Sequence, residues 1–320
     1  MDPTAHRGAG PRNRRIRGAV SAGDFNASGL KRWGGLRPPE PGIPAFVRVF
    51  GVPFDRGSSY RAGAAQAPPH LRELSAIFAP VTERAERLDD ITLEDMGDLP
   101  LAAGDMSANR QALSTSIAAT PKGTVPVVLG GDHTCVIPTL LAQQQRYQGR
   151  IALLYIDAHP DLNETSRQSR WSVGCALRRG LEVGEVDPRR VLLLGCRDYD
   201  WDEVDFIRRM GVTLIPSAEA HRLDPQRFRG RVEQVVGADV LHISLDIDAL
   251  DPSAAPGTQI PAAGGLTTRE LLDFLYALRG IRLAGLDVDE VAPPLDMGHL
   301  TSLAALKFIF EFFGALKFPS

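Results

Sequence analysis

From Ala45 onward, short apolar runs rich in Val, Ile and Leu alternate with longer stretches whose apolar residues recur at helical spacing. The short runs predict buried strands and the longer stretches amphipathic helices, because side chains repeat every two residues on a strand and every three to four on a helix. Strands are expected over 45–51, 125–130, 151–157, 190–195, 212–215, 240–247 and 281–288, with a further one near 91–96. Helices are expected over 67–77, 107–119, 135–146, 202–210, 225–236, 268–278 and 301–316. Pro68 and Pro69 suit a helix start, and Thr267-Thr268-Arg269-Glu270 reads as an N-cap with an early acid. With no internal repeat and no linker, residues 45–320 are expected to form one doubly wound α/β domain on a mainly parallel sheet. Residues 1–44 are rich in Gly, Pro and Arg, lack periodicity, and are expected to form an arm.

Charge adds an asymmetry. Residues 1–37 hold eight Lys/Arg against Asp2 and Asp24, a balance of +6, so the rest of a chain whose net charge is −3 carries −9. That overall balance argues against a general nucleic-acid binder. The sequence shows no run approaching the roughly 18 apolar residues of a membrane span. The basic N-terminal segment has no apolar core of the kind a secretory signal needs. Cys135, Cys175 and Cys196 form no CxxC pair and no disulfide framework, so a reducing, cytoplasmic setting is expected.

The chemistry gathers at strand ends. Val125–Leu129 runs into Gly130-Gly131-Asp132-His133. Ile151–Ile156 runs into Asp157-Ala158-His159-Pro160-Asp161, and Val240–Leu245 into Asp246-Ile247-Asp248-Ala249-Leu250-Asp251-Pro252. Leu283–Leu286 leads into Asp287-Val288-Asp289-Glu290-Val291. In open parallel sheets, ligands bind beyond the carboxyl ends of strands. In extended backbone Asp157, His159 and Asp161 share a face, as do Asp246 and Asp248. With His133 they make two imidazoles and four carboxylates, a set that a buried site tolerates only if cations neutralise it. Two ions sharing carboxylates would use all six. Oxygen and nitrogen donors without thiolate favour Mn²⁺ over structural zinc, with Ni²⁺ or Fe²⁺ also compatible. Such ions lower the pKa of bound water from about 15.7 toward 7 and make a hydroxide nucleophile at neutral pH. Asp132 and Asp251 read as helix or turn caps. Glu290, placed at the mouth of this site, would suit a guanidinium, whose fork matches a carboxylate.

These motifs resemble the ureohydrolases, the family of arginase, agmatinase and related guanidino-acid hydrolases. The resemblance rests on GGDHT (130–134), DAHPD (157–161), SLDIDALDPSAAPGT (244–258) and GLDVDEVAPPLD (285–296), with support from FGVPFDRGSSYRAGA (50–64), MGDLP (96–100) and GGLT (264–267). The 52–63 stretch is closer to the agmatinase branch. The resemblance implies a three-layer αβα fold, two Mn²⁺ per subunit and a homo-oligomer, a trimer or hexamer. It implies His133 and Asp161 on one ion, His159 and Asp248 on the other, and Asp157 and Asp246 bridging. A metal-bridging hydroxide, hydrogen-bonded by Asp248, would attack the guanidinium carbon held by Glu290, releasing urea and an amine. Asn163 is a candidate contact for the substrate's tail.

One position departs from the family. A loop His within Ser-His-Gly relays a proton to the leaving amine in relatives, and here Ser172-Val173-Gly174 places Val173 there. His242 shares strand parity with Asp246 but lies about 13 Å deeper at about 3.3 Å per residue, as a core histidine would. His299 follows the Glu290 loop and could reach the pocket. Gln259, Ala262 and Ala263 also break the family's usual run. The primary expectation is therefore a metal-dependent guanidino hydrolase with a reshaped pocket. The alternatives are a catalytically impaired metal-binding homologue with a regulatory or partner role, a one-zinc deacetylase-type amidohydrolase, and thiol catalysis by Cys175.

Overall fold

A computed structural model describes residues 31–318. Residues 1–30, most of the expected arm, lie outside the described residues. Within 31–44, Trp33 is buried: its backbone N–H donates to Ser75 Oγ (2.7 Å) and its indole Nε1 to Asp95 Oδ2 (2.8 Å).

Eight strands form one sheet: β1 (Val47–Gly51), β2 (Leu93–Asp98), β3 (Val125–Leu129), β4 (Ile151–Ile156), β5 (Val191–Leu194), β6 (Thr213–Ile215), β7 (Val240–Asp246) and β8 (Leu283–Asp289). Their spatial order is β2-β1-β3-β8-β7-β4-β5-β6, and every pairing is parallel. Parallel strands are covered on both faces, so they read as continuous apolar runs. In β4, Ala152, Leu154 and Ile156 join the core on one face, whereas Ile151, Leu153 and Tyr155 join the core on the other.

Helices α1 (Ala67–Leu74), α7 (Pro225–Val236), α8 (Thr268–Ala277) and α9 (Leu300–Lys317) pack on the first face. Helices α2 (Met106–Ala118), α3 (Val136–Tyr147), α4 (Ala176–Gly184) and α5 (Trp201–Met210) pack on the second. A one-turn helix, α6 (Ser217–Ala220), follows β6. The fold is thus the expected three-layer α/β architecture. By length and composition α9 could cross a membrane, which the sequence reading overlooked. Two thirds of its apolar window is buried inside the protein, so it is described as a core helix.

All expected strands are present, with ends shifted by at most two residues, the shift that fraying and local caps produce. The expected helix over 67–77 is α-helical only to Leu74 and continues as a 3-10 turn over Ser75–Ile77. Helices α4 and α6 were not anticipated. Gly180 and Gly184 lower the propensity of α4, but a Cβ at Gly180 would sit 2.9 Å from Leu140 Cδ1. The glycine lets α4 pack closely on α3 at a position that local propensity penalises.

The topology places the site. Strands β3, β8, β7 and β4 are adjacent, and they are the four whose carboxyl ends carry acid and His. The sheet reverses its winding among them, where a crevice opens beyond the strand ends.

Candidate metal centre

Three of these strands end in the same local device. Asp157 Oδ1 accepts the His159 N–H (2.6 Å), Asp246 Oδ1 accepts the Asp248 N–H (2.8 Å), and Asp132 Oδ1 accepts the Thr134 N–H (3.1 Å). An aspartate that bonds the backbone two residues on turns the chain sharply. The sequence expectation of extended backbone through 157–161 and 246–248 is therefore corrected. Asp248 sits in a 3-10 turn over Ile247–Ala249, and Asp161 has φ +54°, in the left-handed region. The side chains still converge, by turning rather than by strand alternation.

Around His133 Nδ1 lie Asp157 Oδ2 (2.8 Å), Asp246 Oδ2 (3.2 Å), Asp161 Oδ2 (3.6 Å) and the Tyr155 hydroxyl (2.9 Å). His159 Nδ1 lies 3.2 Å from Asp248 Oδ2 and 3.4 Å from Asp157 Oδ1. A further group, His133/Asp287/Asp289, lies behind His133, while the six candidates form two triads, His133/Asp157/Asp161 and Asp157/His159/Asp248; in each group the potential ligand atoms lie within 4.8 Å of one another. Asp157 belongs to both triads. All six residues are buried except His159, which is partly exposed.

The electrostatics show what this packing demands. Burial, then the charge of Asp157, lifts the pKa of Asp161 well above the carboxylate range, and burial, then Asp248 and Asp157, does the same to Asp246. Burial pulls His133 down, but hydrogen bonds and charges from Asp157 and Asp246 outweigh it and raise its pKa well above the ordinary imidazole value. His159 is raised likewise: burial opposes, while Asp248 and Asp157 prevail. Burial opposes ionisation of Asp157 too, yet its two histidines hold its pKa low. Four carboxylates and two imidazoles thus compete for protons in a dry site, and the donor set fits two divalent cations, hard enough for oxygen and able to take imidazole.

Behind His133, Nε2 lies 3.0 Å from Ser244 Oγ, and the Ser244 hydroxyl donates to Asp287 Oδ2. Asp287 Oδ1 lies 2.5 Å from His242 Nε2, and His242 Nδ1 lies 3.2 Å from Gln143 Nε2. His242 is therefore the satisfied core histidine its depth predicted. Asp289 is fully buried and neither of its oxygens has a hydrogen-bond partner among the described residues. Burial, then the adjacent Asp287 charge, raises its pKa well above the ordinary carboxylate value.

Glu290 is not at the mouth, as the sequence suggested, but on the floor. It is buried at the end of β8, Oε1 accepts the His133 N–H (3.0 Å), and Oε2 is unpartnered among the described residues. The turn at Glu290, with φ +64°, draws the side chain under the β3 loop. A cleft of about 260 Å³ opens above, lined by His159, Asp161, Asp246, Asp248 and Glu290. Its outer wall includes Asn163, whose Nδ2 donates to Asp200 Oδ2 (2.9 Å), and Val173. His299 does not line it; its ring lies tilted against His70, with centroids 5.0 Å apart. Cys175 is buried and its pKa is pushed up to about 11 by burial, which disfavours the thiolate. Asp132 and Asp251 cap turns as expected, Asp132 also accepting the Gly57 N–H (2.6 Å).

Sequence reasoning missed Tyr155, Ser244 and the wall formed by Asp198, Asp200 and Glu203. Tyr155 and Ser244 each stand two residues before a ligand candidate on β4 and β7, a parity signal that was available. The wall also had one, since Asp198-Tyr199-Asp200-Trp201-Asp202-Glu203 follows the apolar run of β5.

Residues 45–314 match the model of the arginase family. The chain is 32% identical to guanidinopropionase of Pseudomonas aeruginosa over 90% of its length and 93% of that protein. It is 32% identical to agmatinase of Edwardsiella ictaluri, covering 82% of this chain and 85% of that one. Among solved structures, proclavaminate amidinohydrolase of Streptomyces clavuligerus superimposes with a TM-score of 0.81 at 29% identity, covering 90% of this chain and 97% of that one. With that coverage, and the strand-end motifs brought to one crevice, this chain belongs to the arginase family.

Proposed function

We propose that the chain is an amidinohydrolase that cleaves a C–N bond of a linear guanidino compound, giving urea and an amine, with two divalent ions, Mn²⁺ foremost and Ni²⁺ as an alternative. The observation that carries this reading is the pair of triads sharing Asp157 on the floor of a cleft that also holds Glu290 with one free oxygen. His133, Asp157, Asp161 and Asp246 would hold one ion; Asp157, His159, Asp246 and Asp248 would hold the other. When bound, the ions supply Lewis acidity and bring the pKa of water at the site toward neutrality.

The remaining work falls to the chain. Glu290 Oε2 accepts N–H bonds from the guanidinium while Oε1 stays fixed by the His133 amide, which sets the substrate's plane. Burial gives this charge pairing more weight than it would have in water. Val173, buried beside the cleft, offers no proton, so the leaving nitrogen takes its proton from another group or from solvent. A homo-oligomer, a trimer or hexamer, belongs to the same reading and is testable by sedimentation.

The test is urea release, with metal content measured, from agmatine, arginine, guanidinobutyrate, guanidinopropionate and free guanidine under Mn²⁺ or Ni²⁺. Urea from at least one is expected; none from any overturns the reading. Val173 supports a second reading, a metal-binding homologue with impaired catalysis. Under it chelation lowers the melting temperature although no substrate turns over, and hydrolysis by the unaltered chain overturns it.

A further inference from the structure

Two imidazoles meet outside the metal centre. His70 stands on α1, and His299 ends the turn that leads into α9. Their ring centroids are 5.0 Å apart and the rings are inclined at 36°, so they are not stacked face to face. Both residues are partly exposed, yet His70 Nε2 and His299 Nδ1 are buried and have no hydrogen-bond partner among the described residues. The other described histidines are engaged: His221 with Glu270 (2.9 Å), His242 with Asp287 (2.5 Å), His133 and His159 in the two triads. A buried polar atom without a partner forfeits the bond that water would have given it. Two such atoms, one on each ring of a contacting pair, call for a common partner.

The backbone holds this arrangement at a cost. Gly298 (φ +65°) and His299 (φ +60°) both lie in the left-handed region, and His299 there caps α9 without a side-chain hydrogen bond. Glycine at 299 would take that conformation more cheaply, so the imidazole is not there for the turn. A third donor stands nearby. Glu73 follows His70 by three residues on α1, the spacing that sets two side chains next to each other on a helix. It is exposed, and its carboxylate makes no hydrogen bond or ion pair among the described residues. Asp296 is committed elsewhere, accepting the Thr301 and Ser302 N–H groups (3.0 and 2.8 Å). Burial, then His299, lowers the pKa of His70 against weaker pulls from Asp296 and Glu73, which leaves its lone pair available at neutral pH.

We propose that His70, His299 and Glu73 form a separate metal site for a divalent cation of the Zn²⁺ class, with water completing the shell. Two imidazoles bound through nitrogen to one tetrahedral ion at 2.0–2.1 Å place their centroids about 5 Å apart, which is the spacing found here. Two nitrogens and one carboxylate favour Zn²⁺ over Mn²⁺, whereas the four-carboxylate centre suits Mn²⁺, so the two sites can be filled by different metals. A bound ion would clip α1 to the turn before α9. The site stands apart from the guanidino-hydrolase reading and does not depend on it.

The experiment equilibrates the Mn²⁺-loaded protein with Zn²⁺ in the presence of excess Mn²⁺ and counts both metals by mass spectrometry. The unaltered chain is expected to take up about one Zn²⁺ more than His70→Ala or His299→Gly, with Mn²⁺ unchanged in all three. Alanine favours the helix at 70 and glycine relieves the left-handed turn at 299, so neither variant depends on a strained fold. Glu73→Gln is expected to bind Zn²⁺ more weakly in calorimetry, and unchanged affinity overturns the three-donor site. Zn²⁺ is expected to raise the melting temperature of the unaltered chain and not that of His299→Gly, because an ion bound only by the folded state stabilises it. Equal Zn²⁺ uptake by all chains, whether adventitious or by displacement of Mn²⁺, overturns the proposal, as does no uptake by any. Neither readout involves urea, so the hydrolase reading stands or falls separately.

Discussion

His133 stands between two buried polar clusters that obey different rules. On its Nε2 side, Ser244, Asp287, His242 and Gln143 form a chain in which each carboxylate oxygen of Asp287 has its own partner. On its Nδ1 side, Asp157, Asp161 and Asp246 crowd within 3.6 Å and only a hydroxyl and imidazoles offset them. In the first cluster hydrogen bonds meet both oxygens of Asp287, although Gln143 Oε1 and the neighbouring Asp289 carboxyl have no partner among the described residues. The second packs three carboxylates around one imidazole nitrogen, which lifts Asp161 and Asp246 out of the ordinary carboxylate range while the histidines hold Asp157 low. The difference teaches how to tell a structural polar core from a cation site: by whether hydrogen bonds alone close the account.

The sharpest way to break the comparison is Asp157→Ala. Because Asp157 belongs to both triads, metal analysis should find both ions lost and urea release should vanish. Retention of one tight ion would show that the triads are independent. His242→Ala attacks the first cluster instead, leaving Asp287 buried with one oxygen bare. A loss of about 3–5 kcal/mol in denaturant unfolding is expected. Metal affinity, measured by calorimetry, should fall about 10–100-fold, as for outer partners of ligating histidines.

Chelation probes the charge-rich side. Ions at about a hundredfold over Kd contribute about 2.7 kcal/mol to folding, so chelator should lower the melting temperature. The metal-free protein should also lose stability as pH rises. Carboxyl groups with raised folded-state pKa values, Asp161 and Asp246, stabilise the fold fully only below the ordinary carboxylate range, and that contribution disappears as pH climbs through the raised values. A metal-loaded sample should be flat over the same range, and identical profiles would contradict the distinction. The smallest expected effect is at the rim. Val173→His should raise kcat by about tenfold, toward the lower bound of general-acid assistance. An unchanged kcat would mean that proton delivery does not limit this chain.

Most of the fold was legible because parallel strands buried on both faces announce themselves as apolar runs; the edge strand β2, with Glu94, Asp95 and Asp98, is the exception. Helix α4 was not anticipated although Leu177 and Leu181 stand four apart on its buried face, because Gly180 and Gly184 lower its local propensity. The ligand candidates were legible as residue types at strand ends, but the reason given for their convergence was wrong for Asp161 and Asp248. Their geometry comes from aspartates bonding their own backbone, and such turns leave spacing two apart unchanged while reversing the chain. Glu290 shows the opposite failure. Its identity was read correctly and its depth was not, since only the positive φ and the His133 amide carry it to the floor.

By itself the sequence determined the class of architecture, the strands that carry chemistry and the oxygen-and-nitrogen donor set, because these follow from local hydrophobic periodicity and residue type. Only the tertiary structure decided that β3, β8, β7 and β4 stand side by side, that Asp157 serves two triads, and that Asp198 and Asp200 face the cleft. Adjacency in a parallel sheet is set by crossover packing between segments far apart in the chain, and the field at a point is the sum over every charge that packing brings near it.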